Sequence, residues 1–237
     1  MFRRTLVLPA VLLAFAVTAC GSEGDRRQPL PPLPDVDPPV AADVPPTTNG
    51  RIDADWLTAS SKATQIPRRV LRAYVTATAR VNESEPRCEL AWNTIAAIGK
   101  IESIHGAVNG SRIRRDGVAR PRIRGIALDG DGVRAITDTD DGALDGDRTW
   151  DRAVGPMQFI PTTGARWASD GDGDGRTNPQ DVDDAALATG RYLCGTGKQL
   201  GSRDGWLRAV VTYNQSTAYV RKTSRTATGY ADSSSRL

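Results

Sequence analysis

Apolar residues recur at helical spacing along most of this chain, and no long stretch alternates as a strand would. Val70, Leu71, Tyr74, Val75 and Thr78 share one face behind Pro67, which suits the first turn of a helix. A second helix is predicted from Glu89 to about Ile104, closed by Gly106. A short third one opens at Pro161, a fourth follows Asn178-Pro179 and runs to about Leu193, and a fifth spans about Asp204 to Tyr213. Between the second and third lies an Asp-, Gly- and Arg-rich stretch, about 109–149, without periodicity. So long a loop inside a domain is unusual unless it is functional. The pattern predicts a mainly α fold: one domain, 51–222, with a long Asp/Gly-rich insertion.

The ends read differently. Arg3 and Arg4 precede an apolar run, Leu6 to Val17, too short for a spanning helix of about 20 residues. Small residues and Cys20 follow, so 1–19 reads as a secretory signal and Cys20 as a lipobox cysteine to be acylated. That places the chain outside the cell, held by lipid at the outer face of a bacterial membrane. Residues 21–50 hold eight of the fifteen prolines and few core formers, and read as a semi-extended spacer. Residues 223–237 are rich in Ser and Thr and read as a disordered tail.

Composition narrows the picture. The formal net charge is +3, and about +1 without Arg3 and Arg4, which gives no nucleic-acid signature. Apart from Cys20 the chain has two cysteines, Cys88 and Cys194, and an exported chain pairs them by default; two buried free thiols are the alternative. A single histidine, His105, leaves no basis for a zinc site.

Trp92, Ile95, Ile98 and Glu102 fall on one face of the second helix. A carboxylic acid at the end of an apolar stripe sits at the margin of a core. There desolvation raises its pKa and keeps it protonated near neutrality, as acid-catalysed glycoside cleavage requires. Read alone, the pattern favours a helix-end acid paired to an arginine over a catalytic one. His105 reads as a last-turn cation, with a hydrogen bond to Glu102 as the alternative.

Three ordered segments sharpen this: Ile98-Gly-Lys-Ile-Glu102-Ser103, Ala153-Val-Gly155-Pro-Met157-Gln158-Phe159-Ile-Pro161, and Tyr213-Asn214-Gln-Ser216. Together they resemble the lytic murein transglycosylases, in the membrane-bound B-like branch. The resemblance implies a lysozyme-like domain of the goose-type, soluble lytic transglycosylase kind. It implies peptidoglycan glycan strands as partner and Glu102 as the single acid/base. Ser103 would orient Glu102; Gly155, Met157, Gln158 and Phe159 would line the sugar cleft; Tyr192, Tyr213 and Asn214 would contact substrate. The implied reaction breaks the bond between N-acetylmuramic acid and N-acetylglucosamine and closes a 1,6-anhydro ring. Hydrolysis on the same fold, or a non-catalytic wall-binding lipoprotein, are the alternatives.

Asp170, Asp172 and Asp174 occupy positions 1, 3 and 5 of a calcium-type loop, with Gly175 at the sharp turn and Arg176 offering a backbone carbonyl. Position 12 is Asp181; the family resemblance moves the last ligand to Asp184. A structural Ca2+ is expected, with a solvated acidic turn as the alternative. The acidic run Asp138–Asp147 receives no role.

Overall fold

The computed structural model describes residues 30–45, 47–48 and 51–236. The expected signal segment, Cys20 and the first part of the spacer lie outside the described residues. Seven helices carry the fold among those residues: α1 (Ala54–Thr64), α2 (Arg68–Ser84), α3 (Trp92–Ser103), α4 (Pro161–Trp167), α5 (Val182–Gly197), α6 (Arg203–Tyr213) and α7 (Thr217–Ser234). The strands are short: β1 (Thr47–Thr48), β2 (Arg51–Ile52), β3 (Arg112–Ile113), β4 (Ala119–Arg120), β5 (Arg124–Ala127) and β6 (Arg152–Val154). They form three antiparallel pairs, β1–β2, β3–β4 and β5–β6. The architecture is mainly α, as the apolar pattern indicated.

Helix α3 runs through the middle. Ten of its twelve residues are buried, so its apolar stripe continues almost all the way round. Such a helix is enclosed on every side rather than lying on a surface. Helices α2, α5 and α7 pack against it. Each fully buried isoleucine, Ile95 and Ile98, contributes roughly 1.5–3 kcal/mol of transfer free energy. Glycine permits the closest approach: a methyl at Gly99 would collide with the Tyr74 hydroxyl from α2. Cys88 and Cys194 are disulfide-bonded with Cα atoms 5.5 Å apart, tying the chain before α3 to α5 across a separation of 106 residues.

Two expectations are corrected, and a third region gains definition. The tail expected at 223–237 is instead the C-terminal half of α7, which extends to Ser234. Its buried residues Tyr219, Val220, Thr223, Ala227, Tyr230 and Ala231 follow helical spacing, and their small members fit close against α3. The second part of the expected spacer does not stand free. Val36 is buried in the core, the Ser224 hydroxyl donates to the Asp37 carbonyl at 2.6 Å, and Asn93 Nδ2 donates to the Val40 carbonyl at 2.8 Å. The 109–149 stretch is built rather than structureless. The β3–β4 hairpin is pinned to the start of α5 by Ala119 N to Gln180 O and Val182 N to Gly117 O, and Leu128 and Ile136 are buried. No described helix is long and apolar enough to cross a membrane.

Candidate active site

Glu102 lies in the last turn of α3, half-buried, where the apolar face of the helix meets the surface. Burial pushes its carboxyl up to about 7; a hydrogen bond from Tyr219 and the charge of Lys222 pull the other way and lose. The Tyr219 hydroxyl, from the first turn of α7, donates to Glu102 Oε1 at 2.6 Å. The acid is thus held protonated across part of the neutral range and aimed by a neutral donor.

The helix ends abruptly behind it. Ile104 and His105 both take left-handed backbone angles, φ 53° and 59°, and Gly106 follows at 80°. A β-branched residue there is strained, and such strain persists only where the surroundings over-determine it. Here His105 supplies the constraint. Its Nδ1 lies 3.2 Å from the Tyr74 hydroxyl and its Nε2 2.8 Å from the Tyr230 hydroxyl, joining α2, the end of α3 and α7. Burial lowers its pKa to about 3, so the ring is neutral. His105 is therefore neither a last-turn cation nor a partner of Glu102.

Ser103 is buried. Its hydroxyl donates to the Pro156 carbonyl at 2.6 Å and accepts from Gly106 N at 2.8 Å, binding the end of α3 to the next segment. That segment is a tight turn closed by paired main-chain bonds between Val154 and Phe159. Gly155 sits in it at φ 76°, where a methyl would strike the Pro179 carbonyl. Gln158, also left-handed at φ 50°, is half-buried and donates from Nε2 to the Gly155 carbonyl at 3.0 Å.

Met157, Phe159, Tyr192 and Tyr213 are buried at 0–4% exposure. Tyr213 donates to the Met157 carbonyl at 2.6 Å and Tyr192 to the Thr212 carbonyl at 2.8 Å. Phe159, Tyr192 and Tyr213 pack ring against ring, and Tyr213 stacks on Tyr219 with centroids 6.5 Å apart. In this structure these residues support the site from beneath, a different placement from the sugar-facing one expected of them. Asn214 is buried too; its Oδ1 accepts from Ser216 N at 3.0 Å, turning the chain from α6 into α7 and so delivering Tyr219. The sequence reading missed Tyr219. Its signal was the Ser216 N-cap three residues before it.

The calcium-type loop brings three of its five expected ligands together. Ligand atoms of Asp170, Asp172 and Asp184 lie within 4.8 Å of one another. Asp184 is buried, and its carboxyl is pushed up by desolvation and by the charges of Asp172 and Asp170. Asp174 stands outside this group, with its Oδ1 accepting from Arg176 N at 2.8 Å. Asp181 caps α5 by accepting from Asp183 N. Three converging carboxylate oxygens suit a hard divalent cation. Asp138, Asp140 and Asp151 form a second such group in the insertion.

Neither of two cavities, one of about 430 Å3 and one of about 370 Å3, has Glu102 in its wall. The acid is half-buried where the α3 terminus meets α7.

Residues 136–231 match the family model of the transglycosylase SLT domain. The matched segment contains the Gly155–Phe159 turn, Tyr192, Tyr213 and Tyr219, and begins after Glu102. The match covers less than half of the chain and includes two of the three ordered motifs, the segments around Gln158 and Tyr213-Asn214. No curated protein matches the chain. Among solved structures the chain is similar to SltB3 from Pseudomonas aeruginosa in complex with NAG-anhNAM-pentapeptide. That pair shows 18% identity and a TM-score of 0.40, covering 73% of this chain and 65% of that one. It is also similar to the Escherichia coli lytic transglycosylase Slt35 in complex with bulgecin A, with 16% identity, a TM-score of 0.43, and coverage of 76% and 78%. The chain thus spans less than two thirds of the SltB3 chain.

Proposed function

We propose that this chain is a peptidoglycan lytic transglycosylase with Glu102 as its single acid/base. The observation that carries the reading is the Glu102 carboxyl, half-buried at a surface, shifted to about 7 and held by the Tyr219 hydroxyl.

The steps balance without water. Protonated Glu102 donates to the oxygen joining N-acetylmuramic acid to N-acetylglucosamine, and the C1–O bond breaks. An oxocarbenium-like centre develops at C1, which the sugar's own 2-acetamido oxygen can stabilise. Glu102, now a carboxylate that accepts from Tyr219, removes the proton from the C6 hydroxyl. That oxygen bonds to C1 and closes the 1,6-anhydro ring, leaving Glu102 protonated for the next cycle. A pKa near neutrality serves both halves, because the group must give and take a proton at one pH. Gln158, the half-buried member of its turn, is proposed to touch the sugar, while Met157, Phe159, Tyr192, Tyr213 and Asn214 hold the wall behind it. Asp170, Asp172 and Asp184 would hold Ca2+, which would staple the loop before α5 and take no part in the chemistry. Lipidation at Cys20 would keep the enzyme at the outer face of the cell membrane.

The test is mass spectrometry of purified peptidoglycan digested by the protein. An anhydro terminus is lighter than a reducing terminus by one water; reducing termini would identify a muramidase instead. Glu102→Gln should abolish digestion while the fold survives. Digestion by that variant would refute the site, and no digestion by the unaltered protein would leave a wall-binding role.

A further inference from the structure

The second cavity, about 370 Å3, is walled by Arg122, Arg124, Leu144, Asp145, Val154 and Gln180. Its construction follows from strand alternation. Ile123 points inward and is buried at 3% exposure, so Arg122 and Arg124 project together on the opposite side. Gln180 fixes this register from below: its Oε1 accepts from Ile123 N and its Nε2 donates to Ile123 O, both at 2.8 Å. The insertion loop forms the facing wall and is held by the arginines themselves. Arg122 Nη2 donates to the Leu144 carbonyl and Arg124 Nη1 to the Asp145 carbonyl, each at 2.8 Å. One donor from each guanidinium is spent there, and the rest of each fork is left for a ligand.

The wall contains one carboxylate, Asp145. It is buried, and both its oxygens are committed to main-chain donors, Asp147 N at 2.9 Å and Arg152 N at 2.6 Å. It therefore forms part of the loop's scaffold and is not the arginines' partner. Two exposed guanidiniums face a cavity whose built-in acid is otherwise engaged.

The cavity and the Gly155–Phe159 turn are one piece of structure. Arg124 pairs with Val154 in the β5–β6 ladder, Gly155 N donates to the Ile123 carbonyl at 3.0 Å, and Gly125 passes so close to Gln158 that an added methyl would lie 3.1 Å from its Oε1. A ligand in this cavity lies beside the turn that carries Gln158.

We propose that the cavity is a subsite for a carboxylate of the peptide stem borne by muramic acid, held by Arg122 and Arg124. The assignment rests on the glycan-cleaving reading above and adds to it that the enzyme distinguishes strands with stems from bare ones. The planar guanidinium fork matches a carboxylate two donors at a time, and the volume lies at the small end for ligand sites, enough for one end of a peptide. It also gives the Asp138–Asp147 loop a purpose, as the wall that closes the subsite.

The experiment compares Arg122→Gln/Arg124→Gln with the unaltered protein on three substrates: strands with intact stems, the same strands stripped of stems by an amidase, and strands whose stem carboxylates are amidated. Circular dichroism checks that the exposed changes leave the fold intact. The unaltered protein should favour intact stems by roughly tenfold in kcat/KM, through KM, and lose that preference on amidated or stripped strands. The double variant should treat all three alike and cleave stripped strands as the unaltered protein does. Equal slowing on intact and stripped strands, or no preference in the unaltered protein, overturns the subsite. Failure of the unaltered protein to cleave any strand is the failure of the enzymatic reading. Calorimetric titration with free stem peptide then decides: binding lost in the double variant supports the subsite, and absence of binding overturns it.

Discussion

Tyr219 and Glu102, 117 residues apart in sequence, are joined by a 2.6 Å hydrogen bond in which the phenol donates to the carboxyl. The bond favours the ionised acid, whereas burial favours the protonated one, and burial prevails. Tyr219 therefore limits how far the acid is shifted.

The first prediction concerns pH. If the protonated form of Glu102 starts the reaction, kcat/KM should fall as pH rises through about 7. Tyr219→Phe removes the interaction that lowers the pKa, so the descending limb should move to higher pH, while the plateau rate below it falls because the acid is no longer aimed. A pH–rate profile of both proteins on the same strands checks this. A limb that stays in place in the variant would show that the titrating group is not Glu102.

The same shift predicts a stability cost. Glu102 has a higher pKa folded, about 7, than its ordinary 4.5. The folded state therefore holds its proton more tightly than the unfolded one, and stability is lost as pH rises from about 4.5 to 7. Glu102→Gln removes this loss. The variant should match the parent at pH 4 and exceed it at pH 8 by on the order of 1–3 kcal/mol. Denaturant melts at the two pH values measure the difference, and an equal gain at both would assign it to packing instead.

Glu102 was legible because helical spacing alone sets it in line with Trp92, Ile95 and Ile98, all three of which are buried. Tyr219 was not, because α7 is rich in Ser and Thr and its buried face is made largely of small residues. A hydrophobicity pattern cannot register a helix that packs by close approach rather than by apolar bulk. The proline-rich segment was misread for a related reason. Besides the buried Val36 side chain, its attachments use main-chain carbonyls of Asp37, Val40 and Asp43, groups every sequence has. The Asp170 loop was legible from its spacing, but the choice of Asp184 over Asp181 depended on family resemblance. In the fold Asp181 caps α5, and three residues later Asp184 faces the loop, accepting from Gly171 N and Asn178 N.

Calcium should stabilise the protein. Where Ca2+ is present at a hundred times its Kd, the gain is about 2.7 kcal/mol, and a chelator should reverse it. Asp184→Asn should abolish most of the shift, because its carboxyl belongs to the converging group, whereas Asp174→Asn should leave most of it. Thermal melts with Ca2+ or EDTA decide, and no shift in the unaltered protein would remove the site.

The docked segment ahead of β1 yields the last prediction. Asn93, fully buried in α3, donates from Nδ2 to both the Val40 and Ala227 carbonyls and accepts from Ala42 N, so one side chain ties the segment, α3 and α7 together. Trp92 Nε1 adds a bond to the Asp43 carbonyl and Ser224 one to Asp37. Few hydrogen bonds could hold a flexible segment, since ordering each residue costs about 1–2 kcal/mol of entropy. The prolines at 34, 38, 39 and 45 reduce that cost by restricting the unfolded chain beforehand. Asn93→Ala should thus destabilise by about 2–4 kcal/mol through two stranded carbonyls. A chain beginning at residue 51 should melt lower than one beginning at 30, by on the order of 1–3 kcal/mol. Loosening α7 in this way also loosens Tyr219, so the shortened chain should show the same upward displacement of its pH limb as Tyr219→Phe. Equal melting of the two chains would return the segment to the role of a free spacer.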